Sequence, residues 1–168
     1  AESEEQLGLN YECADVAALP DLGQFDLVTA AYLLHSAPDR AALAAMCDNI
    51  ARCLASGARF VTLNENPDYP AEPGGAYVQY GFTKSLEGEL KDGADIHYRM
   101  LAGRDSFAFD VRYYTRATYE QELTRAGMSA VTWHPLILDP AGDDAMGPGY
   151  FRAYLAHPPV IGLSCRRA

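Results

Sequence analysis

The stretch Phe25-Asp26-Leu27-Val28-Thr29-Ala30-Ala31-Tyr32-Leu33-Leu34-His35 constrains the chain more than any other. It opens on an acidic turn residue, runs almost unbroken through apolar residues, and ends in Tyr and His just before Ser36-Ala37-Pro38-Asp39. Apolar continuity, in place of alternation, predicts a strand buried on both faces of a parallel sheet. Open α/β sheets bind ligands at the carboxyl ends of such strands, where Tyr32 and His35 stand. The run alone fits equally a core strand whose final His is a loop residue.

The flanking sequence predicts a βαβ unit. Ser36 or Asp39 caps a helix over roughly Asp39 to Ala55, with Pro38 suited to its start. Leu43, Met46, Cys47, Ile50 and Leu54 recur at helical steps and make one apolar stripe. Gly57 stands where a left-handed cap would end the helix. Arg59-Phe60-Val61-Thr62-Leu63 then forms a second buried strand, closing in Asn64-Glu65-Asn66. A strand, a helix and a strand at this spacing give two parallel strands joined by a right-handed crossover. Upstream, Leu9 to Cys13 is a short strand candidate, and Asp15 follows it either as a turn cap or as a carboxylate offered to a ligand.

Between residues 68 and 114 the pattern changes to glycine-punctuated segments rich in Tyr, Phe and charge. Tyr77–Tyr80, Ile96–Met100 and Phe107–Val111 suit antiparallel strands with one wetter face, and Gly103-Arg104-Asp105 suits a hairpin tip. This is an insertion over the carboxyl edge of the sheet. The α/β pattern resumes with a helix capped by Thr115 or Thr118 and ended by Gly127. A strand over Val131–Leu136 follows, then a loop over Asp139–Gly149, a short helix over Tyr150–Ala156 and a last strand over Val160–Cys165.

The 168 residues suffice for one domain with a core. A formal net charge of −10 argues against a nucleic-acid partner and an anionic membrane surface. The apolar runs are shorter than the roughly 20 residues of a spanning helix, and the N-terminus lacks a signal-peptide pattern. Cys13, Cys47, Cys53 and Cys165 form no Cys-x-x-Cys pair, no His lies at zinc-ligand spacing from them, and no metal site is visible. Buried free thiols and a cytoplasmic location follow as expectations.

Four stretches in order give a resemblance. They are Tyr11-Glu12-Cys13-Ala14-Asp15-Val16 with Leu19-Pro20, Phe25-Asp26-Leu27-Val28 through Leu34-His35, Leu54-Ala55-Ser56-Gly57-Ala58-Arg59-Phe60, and Tyr119 to Gly127-Met128. Together the chain resembles the class I S-adenosylmethionine (SAM) dependent methyltransferases of small-molecule type. The resemblance implies an incomplete Rossmann-like α/β sheet spanning residues 1–168, with the antiparallel insertion after the second central strand and an antiparallel C-terminal β pair. The family's glycine-rich Asp-x-Gly-x-Gly loop is absent, and so is the next strand. Both would precede Ala1, a shortfall of about 30 residues or more. A gap of about 14 Å beside the central strand follows at about 4.8 Å per strand, together with a bared apolar edge. The expectation is that a missing segment or a second copy completes the sheet, or that Leu9–Cys13 is displaced.

By the same resemblance, SAM is the cofactor. Asp15 would accept from its adenine amino group beside the Val16 N–H, and the Ala30 carbonyl would accept from its amino group. Ala31 and Tyr32 would line its methionine end. His35 is the candidate base or orienting group, able to be neutral at cell pH. Glu65 and Asn64 are candidates for holding a small-molecule substrate, as are Tyr113 from the insertion and His134 from a later strand. The Tyr-rich insertion suggests an aromatic or heterocyclic acceptor. Two other readings stay open: a dinucleotide-binding oxidoreductase fragment and a non-catalytic Rossmann-like partner subunit.

Overall fold

The computed structural model describes residues 8–71, 74–103 and 105–168. The Asp39 carboxylate accepts from the Ala42 N–H at 2.8 Å and starts helix α1, Arg40–Arg52. α1 joins two parallel strands, β1 (Phe25–Ala31) and β2 (Leu54–Glu65), in register from Leu27 opposite Arg59 to Ala31 opposite Leu63. The helix ends before the expected Ala55, because Cys53 is its C-cap and Leu54 already belongs to β2. Gly57 is left-handed, with φ 76°, but it serves the slip in register between the Phe25–Leu54 and Leu27–Arg59 pairs. A bulge needs that conformation as much as a helix cap does.

The chain continues into the insertion, a separate antiparallel sheet of β3 (Phe82–Leu86), β4 (Asp95–Ala102) and β5 (Asp105–Arg112). The Ile96 and Phe107 segments are strands as expected. The Tyr77 segment is not: Val78–Tyr80 is a 3-10 turn ended by left-handed Gly81, and the third strand lies just after it. Arg104 of the expected hairpin tip lies outside the described residues.

Helix α2 (Arg116–Arg125) is capped by Thr115, whose hydroxyl accepts from the Thr118 N–H at 3.2 Å, so Thr115 and not Thr118 sets its start. Strand β6 (Met128–His134) follows, beginning and ending earlier than the expected Val131–Leu136. Within the expected loop, Pro140–Met146 is a helix, α3. α4 (Arg152–Ala156) and strand β7 (Val160–Arg167) complete the chain.

The main sheet has the order β1-β2-β7-β6, with β7 antiparallel to both neighbours. α1 and α2 lie on one face of it, where Phe60, Leu163 and Cys165 pack against Leu43, Cys47, Tyr119 and Leu123. β1 therefore departs from the doubly buried strand its apolar run predicts. Val28 and Ala30 pack against the core, but Phe25 and Leu27 remain 45% and 53% exposed on the other face. Among the described residues β1 also pairs along one edge only.

Leu9–Cys13 forms no strand, and its side chains are exposed. A lone extended segment with no neighbour has no ladder to satisfy its backbone groups except water. Cys13 is exposed with it, against the expectation for this thiol, while Cys47, Cys53 and Cys165 are buried. Among the described residues no helix is long and apolar enough to cross a membrane.

Candidate active site at the carboxyl rim

Where β1 ends, the chain turns sharply. Tyr32 adopts the left-handed region at φ 58°, its ring more than half exposed, and Leu34–Ser36 form a single 3-10 turn. That turn carries His35 inward until it is 4% exposed. Its backbone N–H donates to Asn64 Oδ1 at 3.3 Å, and its ring Nδ1 lies 3.0 Å from the same oxygen. The Glu65 N–H, beyond the end of β1, donates to Nδ1 at 3.0 Å. A backbone amide cannot turn away, so Nδ1 must keep its lone pair, and the ring proton sits on Nε2. Burial lowers the His35 pKa to about 4; the hydrogen bond that a protonated Nδ1 would donate to Asn64 Oδ1 opposes this, and the Lys84 charge adds to it. His35 is thus a neutral donor.

Glu65, at the end of β2, is also buried. Its Oε2 accepts from the Tyr98 hydroxyl at 2.6 Å, and its Oε1 is paired with the Lys84 ammonium. Lys84 donates in addition to the Tyr69 carbonyl and lies beneath the Tyr98 ring, 5.8 Å from its centroid. Burial raises the Glu65 pKa and lowers that of Lys84, while each charge favours the other. The same burial, beside the Glu65 charge, raises the Tyr98 pKa and keeps its hydroxyl protonated.

These groups meet in a cleft of about 520 Å³ between the sheet rim and the insertion. The rim supplies Tyr32, His35 and Glu65; the insertion supplies Phe82, Tyr98, Phe107 and Phe109. Asn64 stands behind His35, its amide facing the Tyr119 hydroxyl.

Two expected substrate contacts lie elsewhere. Tyr113 packs with Ile96 and Val111 inside the insertion. His134 shares the carboxyl rim but sits on β6, with β7 between it and β2, and its Nε2 pairs with Ser164 Oγ at 2.8 Å. Neither lines the cleft.

The Tyr32 N–H donates to the Leu63 carbonyl at 2.9 Å, so that peptide's own oxygen, the Ala31 carbonyl, points away from β2. The Ala30 carbonyl, one peptide earlier, points toward β2 and its ladder. The carbonyl at this tip that faces away from β2 is therefore that of Ala31, whereas that of Ala30, expected to accept from a cofactor, faces the ladder. Asp15 is exposed and caps the Val16–Ala18 turn through Oδ1, which accepts from the Ala17 N–H at 2.9 Å. Val16 and Ala17 pack against the core that also holds Val28 and Ala30. Among the described residues no group of three or more His, Cys, Asp or Glu side chains could hold a metal ion.

Lys84 carries one sequence signal, its register: Phe82, Lys84 and Leu86 alternate along one face of β3, and the two apolar residues turn that face inward.

No family model and no curated protein matches the sequence. Solved structures do share its fold. A SAM-dependent methyltransferase from Mesorhizobium loti superposes at a TM-score of 0.60 and 20% identity, over 95% of this chain and 70% of that one. One from Clostridium acetobutylicum gives 0.56 and 13%, over 98% and 68%. SAM-bound CalS10, an amino pentose methyltransferase from Micromonospora echinaspora, gives 0.57 and 13%, over 92% and 63%. The chain has the Rossmann-like fold of SAM-dependent methyltransferases and spans 63–70% of the length of these three.

Proposed function

We propose that this chain carries out SAM-dependent methyl transfer to a small-molecule O or N acceptor held in the cleft at the carboxyl rim. The observation that supports this most is the meeting of His35 from the end of β1, Glu65 from the end of β2 and Tyr98 from the insertion in one cleft, on this fold.

At the β1 tip the outward Ala31 carbonyl suits the cofactor's amino group, and the exposed Tyr32 ring suits its methionine end. Away from that tip, Asp15 beside Val16 would meet the adenine amino group through the carboxylate oxygen that does not cap the Val16–Ala18 turn. The cofactor would supply a methyl group activated on a sulfonium. The protein's own part is alignment and exclusion of water. The insertion roofs the cleft with aromatic rings. His35 offers its Nε2 proton to orient an acceptor, the Glu65 N–H fixing its ring and Asn64 Oδ1 its backbone N–H. Glu65, neutralised by Lys84, presents a polar but uncharged floor.

Titration of the chain with SAM while following thermal unfolding tests this reading. Ligand that binds only the native state stabilises it by about 2.7 kcal/mol at a hundred times Kd. A rise in Tm with SAM and none with NAD is expected. A rise with NAD alone would favour an oxidoreductase, and no rise with either would favour a non-catalytic subunit.

A further inference from the structure

The inner face of the insertion carries a row of rings. Register places Met100 opposite Phe82 and Phe107, and Tyr98 opposite Lys84 and Phe109. The Tyr98 and Phe109 planes lie 2° apart at a centroid distance of 5.3 Å, and Phe107 and Phe109 stack at 25° and 6.2 Å. Ile96, on the same face, is fully buried, yet Phe107 is 60% exposed and Phe109 42%. The open end of the row borders the cleft. Stacked rings left bare offer a flat π-surface, and such surfaces gain most from another ring laid parallel and offset.

Charge narrows the choice. Among the described residues Lys84 is the cation on that inner face, and Glu65 holds it. His97 and Arg99 fall on the outer face by alternation, and Asp110, which pairs with His97, borders the cleft with a carboxylate. Among the described residues an anionic ligand would find no free cation there, and its burial would go uncompensated. A volume of about 520 Å³ falls in the range of pockets that enclose small organic ligands.

We propose that the acceptor is a flat aromatic or heteroaromatic molecule without negative charge, stacked on Phe107 and Phe109, with its polar edge toward His35 Nε2–H and the Tyr98–Glu65 pair. This deepens the methyl-transfer reading and rests on it for the reaction, though not for the binding.

The test is saturation-transfer NMR on the full chain with three probes: 2-naphthol, 2-naphthoate and 1-decanol. The expected result is 2-naphthol binding at least about tenfold tighter than either of the others. The double variant Phe107→Leu/Phe109→Leu keeps apolar bulk and removes the rings at two exposed positions. It should weaken 2-naphthol about tenfold in a chain that still folds cooperatively with a modestly lower Tm, since one stacked pair of rings is worth a factor of about 2 to 13 in affinity. Absence of 2-naphthol binding, equal or tighter binding of either other probe, or an unaffected double variant would overturn the proposal. The probes are added without a methyl donor, so 2-naphthol binding in a protein that SAM does not stabilise would sink the transfer reading and leave the stacking site intact.

Discussion

The Lys84 ammonium and the Glu65 carboxylate are sealed against each other where the insertion meets the end of β2, with side-chain exposures of 0% and 3%. Neither charge has water to fall back on. The Tyr98 hydroxyl closes the carboxylate's other oxygen, so three strands of two different sheets are joined by one polar knot. A second tie, from Arg116 of α2 to both oxygens of Asp68, is half-exposed and holds the Asp68 carboxyl below its usual pKa.

Lys84→Met leaves Glu65 buried without its counter-charge and should cost about 3–5 kcal/mol. Adding Glu65→Gln should recover most of that loss, because a buried amide needs hydrogen bonds but no neutralising charge. Urea unfolding of both variants checks this. A double variant as unstable as the single one would mean that Lys84 acts through packing alone.

His35 has a folded pKa near 4 against an ordinary value of 6.5. The unfolded chain therefore takes up this proton first as pH falls. The contribution is complete above pH 6.5 and drains away as pH falls toward 4, by about 3 kcal/mol in all. His35→Gln should remove this part of the decline between pH 6.5 and 4. Long-range 15N–1H spectra at pH 7 should show the proton on Nε2.

Tyr32 sits at φ 58°, a conformation that crowds any Cβ and most of all a branched one. Tyr32→Gly should leave thermal stability within about 0.5 kcal/mol, the relief of crowding offsetting the freer unfolded chain. Tyr32→Val should lose about 1–2 kcal/mol. The comparison is made by thermal unfolding of the two variants side by side.

Gly162 of β7 faces His134 of β6 so closely that an added Cβ would lie 3.2 Å from the His134 Cβ and 3.3 Å from its carbonyl oxygen. Gly162→Ala should destabilise by about 1–3 kcal/mol as the edge strand is pushed outward. Amide exchange should rise along β6 and stay unchanged along β1.

Much of this could be read from the residues. The stripe Leu43, Met46, Cys47 and Ile50 located α1, and the apolar runs on either side located two parallel strands. His35 and Glu65 stand out in the sequence because strand ends in such sheets carry polar residues, and both line the cleft. An apolar run states what a strand can tolerate and not how many neighbours it has, so the run in β1 overstates its burial. A left-handed glycine serves a bulge as well as a cap, so Gly57 by itself does not mark a helix end. The partnership of Lys84 with Glu65 spans two sheets, and nothing local to either residue announces the other. Ala30 and Ala31 differ only in which way a peptide faces, which the hydrogen-bond register fixes and composition does not.

The knot at Lys84 bears on how anything enters or leaves. A canopy anchored by a desolvated ion pair does not swing open on a hinge, since parting the two charges would leave both stranded in a dry interior. On the proposed reading, an acceptor would instead pass sideways, along the half-bare rings of Phe107 and Phe109. The breadth of that doorway, more than any flap motion, would then govern which visitors are admitted and how quickly they depart.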